Sequence, residues 1–195
     1  MAEIIARTER LLLRTEAEGD QRIWRQHMNV PAVMAHLGGP RTDAQIADTF
    51  ARMAENRARD GFSFMMLERR SDGLLIGHCG LARIEPDEAP AALHGQMQIG
   101  WMLRADCWGQ GYALEAARCV AALAFERYGA ATLFGQTSLG NAPSWRLMER
   151  LGMIRRADLA YVDPAYPPEE NPTIVYDLTA ARWRAGIPTK KEPQP

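Results

Sequence analysis

The segment that most constrains the fold of this chain is a strand-like run followed by two glycines and a long alanine-rich helix. The run Gln96–Leu103 predicts a buried strand, Gly109 and Gly111 follow it, and the pattern from Gly111 to about Tyr128 predicts a helix with a face of small residues. A further strand is predicted over 131–138. A strand–helix–strand unit of this length implies a parallel pair joined by a crossover.

The rest of the pattern adds antiparallel strands and further helices. A capping box at Thr42 and Gln45 starts a predicted helix that runs to about residue 58, and Asn141 is a good N-cap for another helix. A polar, helix-compatible region covers 19–34. Further strands are predicted at Leu11–Leu13, Phe62–Glu68, Leu74–Ile84, Met153–Tyr161 and Thr173–Leu178. Together these elements predict one α/β domain on a mixed sheet, over residues 1–186, with a flexible tail at 187–195.

Composition excludes several classes of protein. The formal net charge is −1 over 195 residues, which argues against general nucleic-acid binding. No apolar run approaches the ~20 residues that a membrane span requires, and the first residues lack the pattern of a secretory signal. Three cysteines without a C-x-x-C pair argue against a disulfide framework or a cysteine-rich zinc site. We therefore expect a soluble, cytoplasmic protein that binds no membrane.

The two glycines before the long helix indicate either a phosphate site or a helix start that packs closely. Glycine lets backbone N–H groups approach a ligand closely, and a helix start offers unpaired N–H donors and the positive end of a dipole. No Walker string occurs, and Leu114 stands where the dinucleotide fingerprint needs a small residue. A second helix start, at Asn141, follows the parallel strand, so the two carboxyl ends of the strands should flank one crevice.

These segments, in this order and spacing, resemble the GNAT superfamily of acyl-CoA-dependent N-acyltransferases, and most of all the branch of the ribosomal-protein N-terminal acetyltransferases. The matching motifs are Glu9–Arg14, Ile99–Trp101, Trp108–Ala113 with Glu115 and Ala116, Asn141 with Ser144, and Leu151–Met153. The resemblance implies a mixed, largely antiparallel sheet of about six to seven strands. It also implies a splayed, parallel central pair, helices on both faces, acetyl-CoA as cosubstrate and no metal.

The resemblance also assigns residues to the cofactor. The pyrophosphate would bind the N–H groups of the turn Trp108, Gly109, Gln110, Gly111, Tyr112 and Ala113. The strand before the turn would bulge and splay, and the pantetheine arm would contact the backbone of Met102 and Leu103. Asn141 would contact the same arm, and Ser144 would lie near the thioester sulfur.

Two catalytic positions of the family are changed in this sequence. Met148 stands where many relatives carry a Tyr that protonates the departing thiolate, which leaves Ser144 as the candidate hydrogen-bond donor. Gln98 stands where relatives often carry a Glu that acts as base, which leaves His78 as the candidate base. A buried, hydrogen-bonded structural role is the alternative for His78. Cys107 invites a covalent role, although no basic partner can be placed beside it.

The resemblance implies an acetyl-CoA-dependent N-acetyltransferase whose acceptor is a primary amine, either a peptide N-terminus or a small molecule. The changed positions favour an acceptor of low pKa, such as an α-amine with a pKa near ~7.8, because about one such molecule in seven is already neutral at pH 7. Two alternatives stay open: a longer acyl-CoA such as succinyl-CoA, and a non-catalytic acyl-CoA sensor. A homodimer is compatible with the sequence. The proline-rich loop 161–172 would help to shape the acceptor site, or lie in solvent.

Overall fold

A computed structural model describes residues 2–85 and 89–186 of the chain. Its strands are β1 (Ile4–Arg7), β2 (Leu11–Arg14), β3 (Phe64–Arg69), β4 (Leu75–Arg83), β5 (Met97–Leu103), β6 (Thr132–Ser138), β7 (Ile154–Arg155) and β8 (Thr173–Thr179). Its helices are α1 (Asp20–His27), α2 (Pro31–Met34), α3 (Asp43–Asp60), α4 (Tyr112–Ala122), α5 (Ala142–Arg150) and α6 (Ala180–Arg184). None of the helices in these ranges has the length and apolarity to cross a membrane.

The strands form one eight-stranded sheet in the order β1-β2-β3-β4-β5-β6-β8-β7. Within the described ranges β5 and β6 are the single parallel pair, and all other neighbours are antiparallel. This confirms the predicted mixed, largely antiparallel sheet with a parallel central pair. The sheet has one strand more than the upper predicted number, because residues 4–7 pair with β2 as an edge strand that the sequence pattern did not predict.

Helices cover both faces of the sheet, as predicted. One face packs against α4 and α5, and its core includes Leu81, Ile99, Ala117 and Leu147. Ala116, Ala117 and Ala121 of α4 are fully buried there, which brings the helix close to the strands. The opposite face packs against α1, α2 and α3 around the fully buried Trp24. A smaller cluster on that opposite face extends under the proline-rich loop.

Local signals explain where several helices begin and end. Thr42 accepts from the Gln45 backbone N–H while the Gln45 side chain accepts from the Thr42 N–H, so the predicted capping box is present. The predicted helix over 111–128 changes to a wider π turn at Leu123–Arg127 and ends before Gly129, whose φ is +66°. The helix-compatible region 19–34 forms two short helices, because Pro31 starts α2 as its own first residue.

The predicted strand Met153–Tyr161 is wrong over most of its length. Only residues 154–155 pair with β8, and the chain then makes a 3-10 turn at 157–159 that buries Leu159 beside Phe134 and Val175. Tyr161 returns as an isolated bridge to Thr173. The 3-10 turn forms instead of the predicted strand because it buries Leu159 in this cluster. The predicted tail at 187–195 lies outside the described residues.

Candidate active site

A gap opens between β5 and β6 at their carboxyl ends. Within the described residues these strands share one backbone pairing position, Gln98 opposite Phe134. By contrast, β4 and β5 pair along their whole length, from Gly77 opposite Leu103 to Arg83 opposite Met97. Beyond Gln98, β5 and β6 therefore diverge, which confirms the predicted splay. The pairing of β5 with β4 shows no register shift, so the bulge expected in β5 is absent from that pairing.

The backbone groups that face the gap follow from the alternation of antiparallel pairing. Arg104 donates its N–H to the Ile76 carbonyl at 2.9 Å, so the even-numbered residues of β5 direct their N–H and C=O groups toward β4. Trp101 and Leu103 consequently direct theirs toward β6. Of the two residues expected to contact a pantetheine arm, Leu103 faces the gap and Met102 faces β4.

The turn that precedes α4 has the conformation that a phosphate site requires. Gly109 has φ +72° and Gly111 has φ +82°, conformations that strain residues with a side chain. None of the described side chains caps the α4 N-terminus at Gly111, so its first N–H groups remain available to a ligand. Gly109, Gln110 and Gly111 are exposed, and Trp108 is 50% exposed. The Trp108 indole donates to the Leu103 carbonyl at 2.9 Å, which ties the turn to the end of β5.

Arg10 fixes this turn from the other end of the chain, a contact that the sequence did not predict. Its guanidinium donates to the Gln110 carbonyl at 2.9 Å, lies 4.4 Å from the Tyr112 ring centre and pairs with Glu115 at 2.6 Å. Burial acts to raise the pKa of Glu115, but hydrogen bonds from Thr8 and Arg10 outweigh it and lower that pKa. Tyr112 is buried and Ala113 half-buried.

The second helix start lies at the carboxyl end of β6. Asn141 caps α5, and its side-chain oxygen accepts from the Ser144 N–H at 3.3 Å. Ser144 is half-buried in the first turn. Met148 is buried and its methyl group lies 3.1 Å from the position of a Cβ on Gly135, so it fills the core beneath β6. The structure thus brings the α4 and α5 N-termini to the same end of the parallel pair.

His78 lies on the opposite face of the sheet, enclosed by aromatic rings. Its Nδ1 accepts from the Trp24 indole at 3.3 Å, and its ring centre is 5.2 Å from that of Phe64. Burial lowers the pKa of His78 to about 4, and the charge of Arg41 adds to the effect. A neutral ring that already accepts a hydrogen bond is poorly placed to take a proton, so a base role for His78 stays a prediction without support from its surroundings.

A polar cavity of about 300 Å³ lies on the His78 face, where the strands part. Its polar and charged lining comes from separate segments: His36, Glu85, Gln98, Gln136, Thr137, Ser138, Tyr161, Asp163, Tyr166, Glu170 and Thr173. The Gln136 amide donates to Gln98 at 2.9 Å and accepts from the Tyr161 hydroxyl at 2.9 Å. Burial raises the pKa of Tyr161 to about 12, and Asp163 and Tyr166 contribute. The proline-rich loop therefore forms one wall of the cavity, and its role in shaping an acceptor site stays a prediction.

Cysteine and metal chemistry have little support in the described residues. Cys107 is buried, burial raises the pKa of its thiol, and Asp106 adds to the shift. A thiol held in its protonated form is a weak nucleophile. Across residues 2–85 and 89–186, no group of three or more His, Cys, Asp or Glu side chains is arranged to hold a metal ion.

Comparison with known proteins relates these features to a family. The family model for the acetyltransferase (GNAT) domain matches residues 10–154. Uncharacterized protein YkkB of Bacillus subtilis is 29% identical over 149 residues, which cover 75% of this chain and 83% of that protein. The FsC-acetyl coenzyme A-N(2)-transacetylase of Aspergillus fumigatus is 29% identical over 115 residues, which cover 58% of this chain and 49% of that protein.

Solved structures agree with the sequence match. An acetyltransferase from Agrobacterium tumefaciens superposes with a TM-score of 0.71 at 29% identity, over 89% of this chain and 92% of that one. A ribosomal L7/L12 α-N-protein acetyltransferase superposes with a TM-score of 0.74 at 15% identity, over 92% of this chain and 95% of that one. At that identity the likeness concerns the fold and does not select the ribosomal-protein branch. The chain belongs to the GNAT acetyltransferase family and is an acyltransferase.

Proposed function

We propose that this protein transfers the acetyl group of acetyl-CoA directly to a primary amine, either a peptide N-terminus or a small molecule. The observation that carries the proposal is the gap between β5 and β6: two helices begin at the carboxyl ends of these strands, and both strands contribute to the lining of the polar cavity. In this proposal residues 1–186 act as one domain in the cytoplasm. The three cysteines, all free in the structure, fit a reducing compartment.

The cosubstrate would bind mainly through backbone groups. Its pyrophosphate would accept hydrogen bonds from the N–H groups of Trp108–Ala113, where exposed glycines and the start of α4 favour negative charge. Its pantetheine arm would lie in the strand gap, against Leu103 on one side and Asn141 on the other. Ser144 would then lie near the sulfur, which places a hydroxyl donor where the thiolate departs.

The chemistry would proceed in a single ternary complex. The neutral amine attacks the thioester carbonyl carbon, and the carbonyl π electrons move onto oxygen. A gap-facing N–H of β5, from Trp101 or Leu103, would donate to that oxygen as negative charge develops. When the intermediate collapses, the C–S bond breaks and the thiolate receives the one proton that the nitrogen loses as the amide forms. A proton carried by an ammonium form of the acceptor leaves before the attack.

The cavity favours an acetyl donor over a succinyl donor. Its charged lining includes three carboxylates, Glu85, Asp163 and Glu170. A succinyl group would bring a fourth negative charge toward them, and like charges that meet in a partly desolvated cleft repel strongly. We therefore propose acetyl-CoA rather than a longer, anionic acyl-CoA.

Calorimetric titration and a thiol-release assay test the proposed function. We expect acetyl-CoA to bind with micromolar affinity and CoA to be released when N-terminal peptides or small primary amines are added. Absence of acetyl-CoA binding at high micromolar concentration would refute the proposal. Binding without thiol release across the amine panel would instead identify a sensor, and faster release from succinyl-CoA would overturn the choice of acyl group.

A further inference from the structure

The strand position from which relatives often deprotonate the acceptor offers no base in this chain. Gln98 carries an amide there, and that amide already accepts from Gln136. Met148, on α5 where many relatives carry the acid for the thiolate, is apolar and lies in the core. His78 is enclosed by Trp24 and Phe64. The proton that the attacking amine must lose therefore needs another acceptor near the gap.

Glu170 is the carboxylate that the cavity holds in a defined position. Its Oε1 lies 2.9 Å from His36 Nδ1, and its Oε2 lies 3.0 Å from the same nitrogen and accepts from the Ser138 hydroxyl. The Glu170 side chain is 13% exposed, whereas the adjacent Glu169 is an exposed residue. Ser138 is the last residue of β6, so its hydroxyl ties the carboxylate to the diverging end of the strand.

We infer that Glu170 is the proton acceptor for the amine that attacks the thioester, and that Ser138 and His36 position its carboxylate. This inference rests on the proposed function. The acceptor enters the cavity as an ammonium ion, and one N–H proton passes to the Glu170 carboxylate. The freed nitrogen lone pair then forms the N–C bond, and the proton leaves Glu170 for solvent at the cavity mouth, where His36 is 34% exposed.

The charges around Glu170 suit an amine acceptor. Glu85 at the end of β4 and Asp163 in the proline-rich loop share the cavity with it, and both attract an ammonium ion. Tyr161 and Tyr166 are the phenols of the loop. Burial raises the pKa of Tyr166; Asp163 and Glu170 raise it further, while Arg41 acts against them. Because the pKa of each phenol is raised, neither tyrosine becomes ionised between pH 7 and pH 9.

The exchange Glu170→Gln tests the inference, with Glu169→Gln as the matched control. The amide keeps the size of the side chain and can still accept from Ser138, but it cannot take a proton. At pH 7 we expect Glu170→Gln to lower kcat with a peptide N-terminus about 100-fold, since general base catalysis commonly contributes 10²–10⁴-fold. We expect an unchanged KM for acetyl-CoA. Glu169→Gln should match the unmodified protein in both constants.

Raising the pH separates a proton acceptor from a structural residue. At pH 9 an α-amine of pKa near ~7.8 is already mostly neutral, so the acceptor no longer needs a base. The difference in kcat between the unmodified protein and Glu170→Gln should then shrink about sevenfold, in step with the neutral fraction of the amine. Glu170→Ala offers a second measurement, in which 100 mM formate should restore part of the lost rate by supplying a carboxylate to the vacated space.

Three outcomes would overturn the inference. The first is equal kcat for Glu170→Gln and Glu169→Gln at pH 7. The second is a kcat deficit of Glu170→Gln that persists undiminished at pH 9. The third is a Glu170→Ala variant that binds acetyl-CoA normally but gains no rate from formate. A chain that fails to bind acetyl-CoA before any substitution refutes the proposed function instead. Acetyl-CoA binding by each variant therefore keeps the two failures apart.

Discussion

The two sides of the strand gap are built from different kinds of group. The α4 side offers backbone N–H groups from one short segment, 108–113, in conformations that Gly109 and Gly111 allow. The cavity side consists of side chains from segments as distant as His36 and Glu170. A backbone site of this kind depends on local conformation, whereas the cavity depends on the whole fold to bring its members together. The two sides should therefore respond differently to substitution.

The difference follows from what each side would recognise. A diphosphate carries charge that any set of aligned N–H donors satisfies, so side-chain identity matters little there. An acceptor amine needs a proton acceptor at one place and charges of one sign around it, which only particular side chains supply. The four predictions below test whether effects on the two sides separate, beginning with the largest.

The largest expected effect is a loss of unfolding free energy in acid, caused by His78 on the face of the sheet that carries the cavity. The pKa of His78 is about 4 in the folded chain and about 6.5 when the chain unfolds. The unfolded chain therefore takes up the proton first, and stability is full above pH ~6.5 and falls by up to about 3 kcal/mol as the pH drops toward 4. Urea unfolding at pH 7 and pH 4.5 should show a smaller loss for His78→Gln, whose amide can still accept from Trp24.

His94→Gln is the control for this comparison, because His94 is exposed and bonds only to the Ala89 carbonyl among the described contacts. It should lose as much stability in acid as the unmodified protein. The same variants examine the alternative base. If His78→Gln lowers kcat about 100-fold at pH 7 and Glu170→Gln does not, His78 and not Glu170 accepts the proton of the amine.

On the α4 side of the gap, Gly109→Asp should weaken acetyl-CoA binding about 100-fold, equivalent to ~2.7 kcal/mol. The new carboxylate would lie where the pyrophosphate is proposed to bind, and its charge would repel the ligand. Gly129→Asp is matched to it: Gly129 also has a positive φ, +66° against +72°, and no atom lies within 4 Å of a Cβ at either position. Both variants should lose similar stability, as thermal unfolding would show, and only Gly109→Asp should change the calorimetric Kd.

The contrast between the two sides also explains what could be predicted from the sequence. Glycines at 109 and 111, the cap at Asn141 and the capping box at Thr42 are local patterns, and each one formed as expected. The parallel pair and its splay followed from the spacing of the elements and from the family resemblance. The glycines and the caps each depend on a few neighbouring residues, which is why the pattern along the chain predicts them.

The remainder depends on contacts between distant residues. His36 and Glu170 are 134 positions apart, and neither residue carries a local signal that links it to the other. The sequence marks Ser138 only as the end of a predicted strand and Arg10 only as part of a family motif. The contact between the Arg10 guanidinium and the turn before α4 depends on the fold. The wrong strand prediction at Met153–Tyr161 has the same origin, because the burial of Leu159 under the loop is a tertiary effect that alternation along a strand does not encode.

Arg10→Gln should weaken acetyl-CoA binding on the α4 side, because Arg10 holds the turn before α4 without belonging to it. The variant loses the hydrogen bond to the Gln110 carbonyl and leaves Glu115 without its cation. We expect the KM for acetyl-CoA to rise about tenfold, since a hydrogen bond to a charged group contributes ~1.5 kcal/mol. Arg70→Gln is the control, because Arg70 also bonds to backbone carbonyls, those of Thr8 and Glu9, but does not contact the turn in the described structure. Equal KM values for the two variants would contradict a positioning role for Arg10.

The smallest expected effect separates a cap from a ligand contact at Asn141. Asn141→Ala and Thr42→Ala each remove an N-cap, so each should lower the free energy of unfolding by about 1 kcal/mol. Thr42 starts α3, far along the chain from the gap, and its variant should keep the KM for acetyl-CoA. Asn141→Ala should raise that KM a few-fold, because the pantetheine arm would lose a polar partner. Steady-state kinetics beside urea unfolding measures both effects, and an unchanged KM in Asn141→Ala would leave this residue a helix cap alone.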